Sequence, residues 1–165
     1  MPQFGRSFVV GVMGGSSCTD AQFGVAERVG RVIAQAGAVL LCGGGTGVME
    51  ASAKGAREAA GLTVGILPGS SAEAANPYIS LAIPTNLGDA RNPVNILSSD
   101  LIVAIGGAGG TLSEIALALK NGKRVLGYDT CIPHFSNNAQ PLGFTSFQSV
   151  EALLDALKEA IPPCR

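Results

Sequence analysis

The 165-residue sequence has no tryptophan, a single histidine and few charged side chains. Charged residues make up 14% of the chain and hydrophobic residues 47%, and the formal net charge is −1. Disordered chains combine low hydrophobicity with high net charge, and proteins that bind nucleic acid usually present a strongly basic face. The composition therefore predicts one globular domain over residues 1–165 and argues against nucleic acid as a partner.

The scarcity of histidine and the spacing of the cysteines limit the chemistry further. His134 alone leaves little material for a Ser-His-Asp triad or a protein metal site. The four cysteines lie far apart without a CxxC pair, which favours a reduced, cytoplasmic compartment. The apolar segment 101–119 is interrupted by four glycines and contains Glu114, so we expect no membrane helix. We also recognise no secretory signal.

Short apolar runs alternate with helical patterns along the whole chain. Most of the runs are continuously apolar, which is typical of parallel strands buried on both faces. The predicted strands are 7–13, 38–42, 63–67, 80–84, 100–105 and 124–128. The predicted helices run from Thr19 to Gly37, from Gly47 to Ala60, around 89–99, from Thr111 to Lys120 and onward from Ser149. This alternation predicts a three-layer α/β fold with a mainly parallel sheet.

The alternating pattern leaves two segments unexplained. The fourth predicted helix is apolar on nearly every side around residues 115–119, so its outer face needs a partner. A second copy of the chain would supply one in a homo-oligomer, and the C-terminal helix is the alternative. Segment 128–147 has no clear periodicity and is predicted to be a lid over the site.

Glycine, in contrast, is abundant, with 23 residues, roughly twice the average usage. Much of it falls in three loops, each between a predicted strand and a predicted helix. The loops are Gly14-Gly15-Ser16-Ser17, Gly43-Gly44-Gly45-Thr46-Gly47 and Gly106-Gly107-Ala108-Gly109-Gly110-Thr111. In a parallel sheet all three meet at the carboxyl edge, where helix N-termini favour an anion. The pattern predicts a phosphate-bearing ligand, although tight packing alone can also require glycine.

Familiar nucleotide motifs are missing from these loops. Neither GxxxxGKS/T nor GxGxxG occurs, which argues against a P-loop hydrolase and against NAD. Arg91 and Glu114 are the charged candidates near the predicted edge: an arginine suits an anion, and a carboxylate suits a sugar or a pterin. For Glu114 a structural role is equally open, because Thr111-x-x-Glu114 is a capping-box pattern. For Arg91 the alternative is a solvated helix residue.

The motifs together resemble the LOG-like Rossmann superfamily, once labelled lysine decarboxylases. The resemblance covers about residues 9–128 and rests on the three glycine loops, on Arg91 and on the segment that ends at Glu114. It implies a Rossmann-like domain. Within the superfamily the chain is most similar to the molybdenum cofactor carriers, which implies Mo-molybdopterin as cargo, molybdoenzymes as recipients, and a homo-oligomer such as a dimer or tetramer.

The superfamily also has an enzymatic branch, the nucleoside 5′-monophosphate phosphoribohydrolases, which carry PGGxGTxxE and an Arg-Lys pair. Here Ile105 or Gly106 stands in place of the proline and Asn92 in place of the lysine, which favours a carrier without catalytic residues. Hydrolysis, with Arg91 and Glu114 as the catalytic pair, is the alternative, and a nucleotide-sensing module is a third. The predicted cofactor-binding residues are Gly14, Gly15, Ser16, Ser17, Gly44, Gly45, Thr46, Arg91, Asn92, Gly106, Gly107, Ala108, Gly109, Gly110, Thr111 and Glu114.

Overall fold

A computed structural model describes residues 6–134 and 141–163 of the chain. Its centre is a seven-stranded sheet in which all neighbouring strands are parallel. The strands are β1 (Val9–Gly14), β2 (Val39–Cys42), β3 (Thr63–Leu67), β4 (Leu81–Pro84), β5 (Leu101–Ile105), β6 (Arg124–Tyr128) and β7 (Phe144–Phe147). The α-helices are α1 (Asp20–Gln35), α2 (Val48–Glu58), α3 (Asn92–Ser98), α4 (Gly109–Lys120) and α5 (Val150–Ala160). The predicted α/β fold is confirmed.

The order of the strands creates a switch point at the centre of the sheet. The order is β4-β3-β2-β1-β5-β6-β7, so the chain builds outward from β1, returns to its other side and builds outward again. Gly11 in β1 pairs with Leu41 of β2 and with Ile102 of β5. In open α/β sheets, ligands bind beyond the carboxyl ends of the strands at such a reversal.

The helices cover the two faces of the sheet unequally. Helices α1, α2 and α5 share the larger core, and α3 and α4 share the smaller one. Alternate residues of β5 point to opposite cores: Val103 to the larger, Ile102 and Ala104 to the smaller. Because both faces are covered, the strand is apolar throughout. Since α5 packs against α1, β6 and β7, the alternative in which it covers α4 is wrong.

Several element boundaries differ from the sequence predictions. Strand β7 lies inside segment 128–147, for which we predicted no regular structure; only one of its four residues, Phe144, is buried, so it carries little hydrophobic signal. The proposed lid otherwise remains a prediction, and its residues 135–140 lie outside the described residues. Helix α2 ends at Glu58, earlier than expected. Helix α4 begins at Gly109 rather than Thr111. Among the described residues, no helix is both long and apolar enough to cross a bilayer.

Candidate functional site

The first and third glycine loops form two adjoining cavities at the switch point. The first cavity, of about 300 Å³, lies between the end of β1, the turn around Arg91 and the start of α4. The second, of about 490 Å³, lies at the start of α1. The two share Gly15, Ser16 and Ala108 as lining residues. They therefore form neighbouring parts of one cleft, which we call the switch-point cleft.

Most of the predicted site residues line this cleft. Those in the first cavity are Gly14, Gly15, Ser16, Arg91, Asn92, Ala108, Gly110, Thr111 and Glu114. Those that line only the second are Ser17 and Gly107. The predicted residues that line neither cavity are Gly44, Gly45, Thr46, Gly106 and Gly109. The structure thus brings together residues from three separate stretches of sequence.

The N-terminus of α4 is open toward the first cavity. Its N-cap is Ala108, whose methyl group cannot accept a hydrogen bond; α2 and α3 also lack a side-chain cap, whereas Thr19 caps α1 and Ser149 caps α5. No described residue accepts a hydrogen bond from the backbone N–H groups of Gly109, Gly110 or Thr111. The first N–H groups of a helix and its positive dipole end attract anions. This end of α4 is therefore suited to a phosphate group.

The glycines of the third loop serve two different purposes. Gly106 and Gly107 have φ values of 55° and 89°, which favour glycine because other residues rarely adopt them. A Cβ at Gly109 or Gly110 would have no heavy atom within 4 Å. Packing therefore does not require glycine at these last two positions, and its presence there leaves the backbone accessible to a ligand.

Glu114 lies in the second turn of α4, not in the first. Because the helix begins at Gly109, Thr111 is already inside it, and the predicted capping box with Glu114 is absent. The structural role that the sequence left open is therefore wrong. Glu114 is only 9% exposed and lines the first cavity. It is a buried carboxyl facing a ligand-sized space.

The surroundings of Glu114 leave its charge poorly compensated. Burial raises the pKa of Glu114 to about 7; Arg91 and the Asn95 amide act to lower it, and the negative charge of Asp89 raises it further. Both polar atoms of the Asn95 amide are buried without a hydrogen bond of ordinary geometry, so Asn95 stabilises the Glu114 charge only weakly. The carboxyl thus titrates near neutrality, where a ligand can select its protonation state.

Arg91 is held in place by one hydrogen bond of its guanidinium. Its Nη1 donates to the carbonyl oxygen of Ile66 in β3, while its buried Nε has no partner. A Cβ at Gly43 would collide with both terminal nitrogens, so the guanidinium occupies space that only glycine leaves open. Among the lining residues of the cleft, all of which the structure describes, Arg91 carries the only positive charge. It is positioned to bind an anion.

The second glycine loop mainly supports the first. Thr46 Oγ1 donates to the carbonyl oxygen of Ser16 at 2.8 Å, and the Val48 N–H donates to that of Gly15 at 3.1 Å. The Asn76 amide holds the carbonyl oxygen of Gly45 at 2.8 Å. These bonds account for the position of Gly44, Gly45 and Thr46 outside the two cavities.

Several lining residues were not predicted from the sequence. In the first cavity they are Val12, Met13, Gly43, Met49 and Asp89, and in the second Cys18, Thr19 and Gln22. The position of Asp89 two residues before Arg91 was the one usable signal. Burial raises the pKa of the Cys18 thiol, which favours a protonated thiol over a reactive thiolate at this position.

Comparison with known proteins places the chain in a family. A sequence model of the SLOG cluster4 family matches residues 7–154. The chain belongs to this family. An uncharacterised protein of Archaeoglobus fulgidus is 48% identical over 116 residues, which is 70% of this chain and 76% of that protein.

Two solved structures are similar to this SLOG cluster4 chain over nearly its whole length. The molybdenum cofactor binding protein of Rippkaea orientalis is 39% identical with a TM-score of 0.85, over 95% of this chain and 99% of that chain. The molybdenum cofactor carrier protein of Chlamydomonas reinhardtii is 35% identical with a TM-score of 0.80, over 93% of this chain and 98% of that chain. The predicted resemblance to the LOG-like superfamily and to its molybdenum cofactor carriers is confirmed.

Proposed function

We propose that this protein binds molybdenum cofactor and carries it to molybdoenzymes. The observation that carries the proposal is the uncapped N-terminus of α4, which opens beside Arg91 at the switch point of the sheet. The cofactor's terminal phosphate would bind there, held by backbone N–H groups and the guanidinium. Similarity to two molybdenum cofactor proteins over nearly the whole chain supports the same conclusion.

The cleft fits the other parts of the cofactor as well. Small-molecule sites are usually clefts of roughly 300–1,000 Å³, and the two adjoining cavities have about 300 and 490 Å³. The pterin ring presents donors and acceptors that match the polar groups around Glu114. Because the dithiolene of the cofactor holds molybdenum itself, the chain need not supply metal ligands.

A transfer assay tests the proposal. Purified protein is incubated with molybdenum cofactor released from a molybdoenzyme, separated from free cofactor, and mixed with a cofactor-free molybdoenzyme. We expect the protein to retain the cofactor, to slow its loss in air and to restore the recipient's activity. Loss of cofactor at the rate seen with albumin, together with no reconstitution, would refute a carrier function.

Phosphoribohydrolase activity is the second candidate, because Arg91 and Glu114 line the same cavity and a carboxyl that titrates near neutrality suits general acid catalysis. Incubation with AMP and with cytokinin riboside monophosphates would then release free base, and Glu114→Gln would abolish the release. If the protein reconstitutes a molybdoenzyme and releases no base, the carrier function is selected.

We further propose that the carrier is a cytoplasmic homo-oligomer. Leu97 on α3 is 58% exposed, and Leu112 on α4 is 40% exposed. These side chains belong to the two helices of the thinner layer, whose outer face we call the α3/α4 face. Burial of such apolar surface stabilises association by about 25 cal/mol per Å² before the entropic cost of association. A second copy seated on the α3/α4 face would cover both leucines.

A further inference from the structure

We infer that Glu114 recognises the 2-amino-4-oxopyrimidine edge of the bound ligand, the edge that a pterin shares with guanine. The inference rests on the proposed function, since it concerns a ligand in the same cavity. It goes further by assigning one ring edge to one side chain. It makes Glu114 a specificity-determining residue rather than a catalytic one.

The first argument is that the Glu114 carboxyl can accept more hydrogen bonds than the protein supplies. It is 9% exposed and lines the first cavity, and Arg91 and the Asn95 amide are the groups of the described chain that act to stabilise its charge. Both polar atoms of the Asn95 amide, which is 1% exposed, are buried without a hydrogen-bond partner. Buried polar groups are normally paired, because an unpaired one costs free energy. The cavity therefore suits a ligand that brings N–H donors.

The second argument concerns charge. A ligand that offered only negative charge would meet Arg91 and the start of α4 favourably, but it would be repelled by an ionised Glu114. The Asp89 carboxylate also disfavours the ionised form of Glu114, whereas Arg91 and Asn95 favour it. A ligand with an anionic end and a separate donor edge satisfies all of these groups at once.

The third argument is the position of Glu114 along α4. It follows Gly110 by one helical turn, so its backbone lies about 6 Å further along the axis than the N–H groups that suit phosphate. A carboxylate presents two oxygens that accept two parallel N–H bonds, as in a guanidinium–carboxylate pair. The ring N–H and the exocyclic amine of a 2-amino-4-oxopyrimidine form the matching donor pair.

A matched pair of probes tests the inference. Neopterin monophosphate and its lumazine analogue differ in the replacement of the 2-amino group by oxygen. We expect the wild-type protein to bind the pterin compound more tightly by roughly 5- to 150-fold, the range for one bidentate pair. In Glu114→Gln the preference should fall to within a few-fold of unity, while phosphate-dependent binding of both probes persists. Glu159→Gln, on the exposed side of α5, should keep the wild-type preference.

Three outcomes would overturn the inference. Equal affinity of the wild-type protein for the two probes is one, and this measurement needs no variant. An unchanged preference in Glu114→Gln is another. The third is binding of AMP or ribose 5-phosphate as tight as that of neopterin monophosphate, which would place sugar hydroxyls at Glu114. If the transfer assay succeeds while the preference is absent, only the inference fails; if neither probe nor cofactor binds, both fail.

Discussion

At the scale of single residues, the absence of a side chain at Gly43 determines where the positive charge of Arg91 lies. The Arg91 guanidinium occupies the space that a Cβ at Gly43 would need. The sequence analysis placed Gly43 in a glycine loop without naming it as a site residue, and only the contact in space shows that this glycine makes room for the Arg91 side chain. Its neighbours Gly44 and Gly45 look identical in sequence and line neither cavity.

Gly43→Ala should weaken binding of phosphate-bearing ligands by roughly 10-fold or more, because it displaces a charged donor. The free energy of unfolding should fall by only about 1 kcal/mol, since the colliding atoms are mainly flexible side-chain ends. Titration calorimetry with neopterin monophosphate and urea unfolding measure the two effects. The control is Gly24→Ala in α1, where a Cβ meets nothing within 4 Å. It should leave binding unchanged and stabilise the helix by about 1 kcal/mol.

Unchanged ligand affinity in Gly43→Ala would show that the position of Arg91 does not matter for binding. A similar loss of affinity in Gly24→Ala would show that the effect is not specific to the cleft.

Glu114 should make stability depend on pH. Burial raises its pKa from 4.5 to about 7, so between these values the folded chain holds more protons than the unfolded chain. The corresponding stabilisation is fully present below the ordinary pKa and is lost as the pH rises through the folded pKa. The loss amounts to about 3 kcal/mol at most. Glu114→Gln should therefore be more stable than the wild-type protein at pH 8.

Urea unfolding of both proteins at pH 5 and pH 8 checks this prediction. The exposed Glu159→Gln should retain the wild-type difference between the two pH values. A Glu114→Gln variant with the same difference as the wild type would contradict the assigned pKa.

At the scale of elements, the uncapped start of α4 would, under the proposed function, sacrifice some helix stability to keep its N–H groups available to an anion. Ala108→Ser adds a neutral acceptor, and Ala108→Asp adds a charged one. Both should raise thermal stability, by about 1 kcal/mol for a good cap. Ala108→Asp should also abolish phosphate binding, because its carboxylate takes the same N–H groups and repels the ligand.

Thermal unfolding and calorimetry of the two Ala108 variants measure this exchange. Ala108→Ser should weaken binding less than Ala108→Asp, because it adds no charge. An Ala108→Asp protein that binds neopterin monophosphate as well as the wild type would place the phosphate elsewhere.

Capping-box patterns predicted the start of one helix correctly and the start of another wrongly. Thr19 and Gln22 match the capping-box pattern and form the box at the start of α1, with both reciprocal bonds at 3.1 Å. The same pattern at Thr111 and Glu114 gave a wrong helix start. Helix α4 begins two residues earlier, at Gly109, and glycine is a weak signal for a helix start. A capping box is informative only where the preceding residues cannot be helical.

At the scale of the whole molecule, the alternation of continuous apolar runs with helical patterns was sufficient to predict the layers and the parallel sheet. They could not predict which helices share a face, since every buried strand is apolar on both sides. Nor could they reveal the thin α3/α4 layer, because the apolar character of α4 is the same whether its outer face is covered or exposed. The cleft was predictable as an edge of the sheet, but the burial of Glu114 beside it was not.

The α3/α4 face predicts self-association. The wild-type protein should have a mass in solution that is a multiple of the 16.6 kDa chain, and Leu97→Glu combined with Leu112→Glu should reduce it to that of a monomer. Leu62→Glu, at a leucine that is 50% exposed before β3, should leave the mass unchanged. Light scattering after gel filtration measures all three; a monomeric wild-type protein would contradict the proposed oligomer.

The most direct test of the account is retention of molybdenum cofactor by the wild-type protein and by Ala108→Asp. Each protein is loaded with released cofactor and passed through a desalting column, and the bound pterin is quantified by the fluorescence of its oxidised product. We predict stoichiometric retention by the wild-type protein and almost none by the folded Ala108→Asp variant. Equal retention by the two proteins, or none by the wild type, would contradict a phosphate site at the start of α4.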